Sequence, residues 1–323
     1  MAGWDRLRGV VLLQRGDTDL IAFAGGTTGT DPDADCTLGT RFQIASVSKQ
    51  FAAAAVLTLA ERGALSVDDT VGRWIGGCPA SWDSITVHHL LTHTAGLPHW
   101  RDMPELDPTA PGDFEDELRV FAGAPLAGAP GERFSYSSPG YVLLGRIVER
   151  AAGQPYASFL ASEIFGPLGM ESTFAGSQGG RPDLTVGHRE GVPVPSFDLG
   201  TVNVGTGDVW STAPDLARWD RALASGGILS PASRQAMFAV HATVSDDDPV
   251  IRTAGYGYGW YVGSLPGEHP MLYHTGDNPG FRSVNAWFPR DAVRLAVLSN
   301  EETTGMESLL GELAVAAFPE LAD

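Results

Sequence analysis

The sequence predicts a mixed α/β protein of the α+β type, with one antiparallel sheet built from both chain ends, flanked by helices, and a mostly helical second lobe between them. Three observations predict it. β-forming runs are confined to the first 25 residues and to the stretch from Tyr256 onward. Between them, apolar residues recur at helical spacing. The alanine-rich run 50–62 is apolar nearly all round, which suits a central helix between sheet and insertion.

The elements follow in order. Gly9–Arg15 and residues 20–24 read as strands, and Gly16-Asp17 between them as a hairpin turn. A polar loop with Asp31, Asp33 and Asp35 leads to the helix at 50–62, which ends at Gly63, a residue suited to the left-handed cap. Helical patterns recur at Val87–Leu91, 141–152, 156–165 and 215–224. Loops rich in Gly, Pro and acid separate them at 103–116, 177–198 and 245–248. Strands are expected at 256–262, 271–274, 283–288 and 294–298, then a helix at 306–318. No repeat or linker appears, so residues 1–323 are read as one domain. Its sheet lobe takes about 1–64 and 251–323, and its helical lobe about 65–250.

Composition narrows the function. With 43% hydrophobic and 19% charged residues, the chain is not a long disordered one. A net charge of −18 argues against nucleic acid and anionic membrane as partners. Cys36 and Cys78 make no disulfide framework, and no Cys/His spacing of zinc-finger type occurs. The first apolar run, from Val10 to Leu13, is too short for a signal-peptide core, so a cytoplasmic location is expected.

Of the 21 basic residues, 20 are Arg and one is Lys49. A position that keeps lysine in such a background needs what arginine lacks, an amine that can lose its proton. Lys49 lies three residues after Ser46, so the two share a helix face. Ser46 sits at the helix start, where unpaired backbone N–H groups can receive an oxyanion. A serine hydroxyl becomes a nucleophile when a neighbouring base takes its proton, and a desolvated lysine can serve.

Two later segments join this pair. Tyr136-Ser137-Ser138 precedes a helix, and His274-Thr275-Gly276 ends a strand. Serine with lysine, then tyrosine, then H-T-G resembles the serine β-lactamase and penicillin-binding-protein superfamily, most closely its class C-like branch of esterases, D-stereospecific peptidases and transacylases. Residues 90–97 (Leu-Leu-Thr-His-Thr-Ala-Gly-Leu), 164–170 and 209–219 resemble further segments of that branch, so the likeness spans nearly the whole chain in order.

The resemblance implies a β-lactamase/transpeptidase-like fold and a serine acyl-transfer enzyme without a cofactor, acting on a small ester or amide. Ser46 would be acylated. Lys49 would be the base, or the cation that lowers the tyrosine pKa, and Tyr136 the general base and acid. The backbone N–H groups of Ser46 and Asp277 would form the oxyanion hole. Ser138, His274, Thr275, Gly276, Trp100 and Phe281 would contact substrate, with Phe134, Trp210 and Trp260 as further candidates for an apolar acyl pocket.

Departures from the family pattern shape the expected substrate. Ser138 stands where Asn is usual, offering one short hydroxyl in place of a carboxamide. His274 replaces lysine and offers at most a partial positive charge to a substrate carboxylate. A dedicated β-lactamase is therefore not expected. Asp277 puts a carboxylate near the hole, where it would favour a cationic substrate group or point away.

Other classes compete less well. His88, His89, His93 and His99 cluster, and His89 to His93 has the spacing of H-E-x-x-H, but position 90 is Leu. They are read as satisfying backbone and cap groups, with no metal expected. G-x-S-x-G is absent, which excludes that nucleophile elbow. The 205–207 segment, Gly-Thr-Gly, reads as a turn. A hydrolase is the default reading, a biosynthetic transacylase its alternative, and a binding protein that has lost the chemistry a third.

Overall fold

The computed structural model describes residues 3–30, 33–106, 112–177, 181, 184–195, 204–244 and 251–322. Its main sheet has eight antiparallel strands: β1 (Gly9–Arg15), β2 (Thr18–Gly25), β3 (Ala242–Thr243), β4 (Arg252–Tyr256), β5 (Tyr261–Leu265), β6 (His269–Asn278), β7 (Phe281–Phe288) and β8 (Val293–Ser299). Their order is β2-β1-β8-β7-β6-β5-β4-β3. The expected sheet from both chain ends is present. β1 pairs with β8 along its full length, from Gly9 opposite Ser299 to Arg15 opposite Val293. The hairpin turns at Gly16, whose φ of +59° is open to glycine at no steric cost.

Side chains alternate across the sheet, so one strand serves two cores. Val11 and Leu13 join Val284, Ala286 and Val297 beneath the Met306–Ala317 helix. Val10 and Leu12 join Leu298 and Ala296 on the other face, toward the central helix Lys49–Glu61. That helix is buried from Lys49 to Leu59, and its run Ala52 to Ala55 is fully enclosed. Small side chains there let the Ser138–Ala152 helix and the 257–260 turn close on it, whereas the Ala213–Ser225 helix packs on it through Trp219 against Phe51. A Cβ added at Gly259 would lie 2.7 Å from the Lys49 carbonyl oxygen.

Several element expectations change. The strand expected at 256–262 is two strands, because the chain turns at 257–260 with Gly259 at φ +75°. The edge strand Ala242–Thr243 comes from within residues 65–250. The helix at 156–165 becomes a π-helix over its second half, Ala161–Phe165. The helix expected at 141–152 starts at Ser138, capped by Ser137 Oγ accepting the Gly140 N–H at 3.3 Å and closed by Gly153 at φ +67°. A small hairpin, His188–Arg189 with Val192–Pro193, lies inside the loop expected at 177–198. Asp31 and the loop at 245–248 lie outside the described residues. Among the described residues, no helix is long and apolar enough to cross a membrane.

Candidate active site

Ser46 lies in a 3₁₀ turn, Ala45–Ser48, that runs directly into the central helix. Ala45 has φ +48°, a left-handed conformation that costs a non-glycine residue on the order of 1 kcal/mol or more and persists only where the surroundings impose it. They do so here. The Ile44 N–H donates to the Val209 carbonyl at 3.0 Å, and the Ile44 carbonyl accepts from Ser283 Oγ at 2.6 Å. Ser48 Oγ accepts the Val209 N–H at 3.1 Å. Strand β6 presses on the same turn through Gly276. A Cβ there would lie 2.4 Å from the Ile44 carbonyl oxygen and 3.0 Å from Ala45 Cβ. β5 pairs with β6 only as far as Tyr273, so residues 274–278 continue beyond it beside the Ser46 turn.

Lys49 is fully buried, and its Nζ donates to Ser46 Oγ at 2.9 Å and to the Thr206 carbonyl at 2.9 Å. The amine lies 5.0 Å from the Tyr136 ring centre and 5.5 Å from that of Tyr141. Burial pushes it well below the ordinary lysine range, and the carboxylate of Asp208 pulls back only in part. The Tyr136 phenol is raised by burial of its hydroxyl, which a hydrogen bond with the Ser46 side chain partly offsets. Serine, lysine and tyrosine therefore meet at one point, with lysine biased toward the free amine and tyrosine toward the phenol.

Three histidines surround this point, and all are held neutral. His274 is buried; its Nδ1–H donates to the Thr275 carbonyl at 2.6 Å and its Nε2 accepts from the Tyr256 hydroxyl at 3.0 Å. Burial, then Lys49, lowers it to about 3. His274 is thus neutral near pH 7, within the at-most-partial charge expected at this position. His99 Nδ1 accepts the Arg101 N–H at 3.1 Å, which leaves the proton on Nε2 to donate to Ser138 Oγ at 3.2 Å. Burial, then Lys49, lowers His99 to about 4. His93 is held well below the ordinary histidine value, by burial and then by Lys49, and its ring centre is 4.3 Å from that of Tyr136.

A cleft of about 850 Å³ opens onto Ser46 and Tyr136, with Ser138, His274, Thr275 and Trp100 also in its wall. The Asp277 carboxylate is there too, but two arginines share it: Arg282, and Arg101 at 3.4 Å. Arg189 pairs with Glu302 at 2.6 Å in the same wall. Asp277 is therefore not a bare carboxylate awaiting a cation. Phe281, expected in the acyl pocket, is fully buried and packs edge-on against Trp210, with ring centres 5.6 Å apart. Trp210 and Trp260 are core residues as well. Gly276 supplies close backbone approach to the Ile44–Ala45 peptide and does not line the cleft.

Among the described residues, no group of three or more His, Cys, Asp or Glu is placed to hold a metal ion. The Val87–Leu91 helix ends before His93, which has φ +56°, so His89 and His93 do not share a helix face. His89 closes a capping box with Thr86, and His88 Nδ1 meets the Tyr258 hydroxyl at 2.8 Å. Sequence reasoning missed Thr206, whose contribution is a backbone carbonyl that no side-chain motif announces. It also missed Asp208, which shapes that turn by accepting the Gly205 N–H at 3.1 Å. Arg101 and Arg282 were missed because their partner, Asp277, was read without neighbours.

A serine turn beside strand β6, with a lysine one helical turn on and a tyrosine facing both, fits a serine hydrolase. The chain belongs to the Beta-lactamase family, whose model matches residues 2–318. It is 30% identical over 318 residues to penicillin-binding protein 4* of Bacillus subtilis (strain 168), across 92% of this chain and 69% of that one. Esterase EstB of Burkholderia gladioli is 30% identical over 330 residues, across 86% and 81% of the two chains. Among solved structures, the penicillin binding protein from Bacillus halodurans superposes with a TM-score of 0.82 at 26% identity, covering 96% of each chain.

Proposed function

We propose that the protein is a serine hydrolase of the esterase and amidase type that forms an acyl-enzyme on Ser46 from a small, uncharged substrate. The observation that carries this reading is the 2.9 Å contact between Ser46 Oγ and a buried Lys49 amine. In the proposed step, Ser46 attacks the carbonyl carbon while its proton passes to the Lys49 nitrogen. The oxyanion is received by the backbone N–H groups of Ser46 and Asp277. The Tyr136 phenol then protonates the departing alkoxide or amine and regains its proton from the Lys49 ammonium. Water, deprotonated by the same pair, attacks the acyl carbon and restores Ser46.

Neutral His274 and the paired charges of Arg101, Arg282, Asp277, Arg189 and Glu302 favour substrates without a free charge at these positions. An esterase among the relatives supports ester substrates. The test is intact-protein mass spectrometry with a short p-nitrophenyl ester, for wild type and Ser46→Ala. A serine-dependent acyl adduct with a burst of nitrophenol is expected. Identical behaviour of the two proteins toward a panel of esters and a fluorophosphonate probe would refute the proposal. Adding alcohol or amine acceptors to the same assay separates hydrolysis from acyl transfer.

A further inference from the structure

The segment 90–97 takes no part in the chemistry above, yet it is zipped to the stretch that holds Tyr136. The Gly96 carbonyl accepts the Ala127 N–H at 2.7 Å, and the Thr94 carbonyl accepts the Gly131 N–H at 2.7 Å. His93 makes the last two links. Its backbone carbonyl accepts the Ser135 N–H at 2.7 Å, and its Nδ1 accepts the Ser137 N–H at 3.1 Å. One residue thus anchors the chain on both sides of Tyr136. The left-handed backbone at His93, φ +56°, lets its carbonyl and ring address the same segment.

The ring does more than accept. With Nδ1 as acceptor, the neutral imidazole carries its proton on Nε2, which is buried without a hydrogen-bond partner. Around the imidazole stand the rings of Tyr136, Tyr256 and Tyr141, with centres at 4.3, 4.8 and 5.0 Å. A buried donor without a protein partner stabilises nothing by hydrogen bonding. The ring's shape and its Nδ1 acceptor are what the site uses.

We propose that His93 is the positioning residue of Tyr136: it fixes the backbone at Ser135 and Ser137 and forms the wall on which the phenol ring rests, so that the hydroxyl stays within reach of Ser46. This rests on the acyl-enzyme reading given above. His93 touches neither substrate nor Ser46 in this scheme; it acts through Tyr136.

Two variants test it. His93→Leu removes the acceptor and the flat ring, whereas His93→Asn keeps an oxygen where Nδ1 stands and tolerates the left-handed backbone. With a p-nitrophenyl ester, His93→Leu should lose about tenfold or more in kcat with KM within about twofold, because a misplaced group acts on the transition state more than on binding. His93→Asn should recover most of the loss. In parallel, ¹⁹F spectra of the 3-fluorotyrosine-labelled protein, with the Tyr136 signal assigned through Tyr136→Phe, should show that signal moved or broadened in His93→Leu and restored in His93→Asn.

The proposal is overturned if His93→Leu keeps both kcat and the wild-type fluorine signal, or if His93→Asn is as impaired as His93→Leu. Should His93→Leu not fold, His93→Asn decides alone: wild-type kcat and signal support the proposal, and a tenfold loss with a displaced signal overturns it. Wild type that never acylates Ser46 would refute the hydrolase reading instead, and the fluorine signal would still decide on His93.

Discussion

The Thr206 carbonyl and the Lys49 amine lie 2.9 Å apart, and that bond aims the amine while its other contact, also 2.9 Å long, falls on Ser46 Oγ. The acceptor is a backbone atom in a turn braced by Asp208 and by Gly205 at φ +78°. An uncharged carbonyl orients the amine without supplying a second full charge at bonding distance. That suits a lysine expected to give and take a proton.

Lys49→Arg tests this arrangement. Arginine keeps a cation but cannot deprotonate, and its planar head does not fit between Ser46 and Thr206. Ester turnover should fall by about 10²–10⁴-fold, the range contributed by a positioned base. Nitrophenol release near the wild-type rate would exclude Lys49 as the proton acceptor.

Stability should respond to pH through Asp220. It is buried beneath the central helix, where Asn285 Nδ2 donates to Oδ1 at 2.9 Å. Burial raises its carboxyl from 3.8 to about 7, against that hydrogen bond and the Arg294 charge. The fold thus holds this proton more tightly than the unfolded chain does. Its contribution is complete below the ordinary aspartate value and is lost as pH rises through about 7, a loss on the order of a few kcal/mol. Asp220→Asn should show a shallower fall in Tm between pH 5 and pH 9 than wild type; parallel curves would contradict the assignment.

Asp277→Asn frees Arg101 and Arg282 from their shared carboxylate. Both ion pairs are partly or largely exposed, so stability should change by less than about 1 kcal/mol. Turnover of an ester bearing a carboxylate should rise several-fold relative to its neutral analogue. An unchanged ratio of kcat/KM for the two would show that these arginines do not face the substrate.

Gly276→Ala places a methyl group against the Ile44 carbonyl and Ser283 Oγ. Strand β6 must then retreat from the Ser46 turn, with a cost of about 1–3 kcal/mol as in other overpacked sites. Activity should fall more than stability alone explains, measured as kcat at a temperature where both proteins are folded. Wild-type kcat in a folded variant would mean that the strand's approach to Ile44 is not needed for the chemistry.

Local spacing made part of this site legible. Ser46 and Lys49 sit one helical turn apart, so three intervening bonds of sequence already imply contact. The sheet from both chain ends was legible because runs of β-forming residues are a local signal, and β1 and β8, buried on both faces, are nearly continuous apolar runs. The rest depended on neighbours brought from afar. Phe281 faces Trp210 and the core because of the register of β7, which no count of apolar residues supplies. His274 loses its charge to burial and then to Lys49, 225 positions away in the chain. The strand at 256–262 broke because Gly259 accepts a left-handed turn, where the central helix leaves no room for a side chain.

The pairing of β1 with β8 also sets when the molecule can be finished. At synthesis rates of about 5–20 residues per second, the first strand waits on the order of tens of seconds for the partner made some 280 residues later. Until β8 leaves the ribosome, the inner edge of β1 has only solvent or a chaperone to cover it. The central helix likewise lacks one of its walls. A chain stopped before Val293 would present that open edge permanently, as a template for pairing with its own copies.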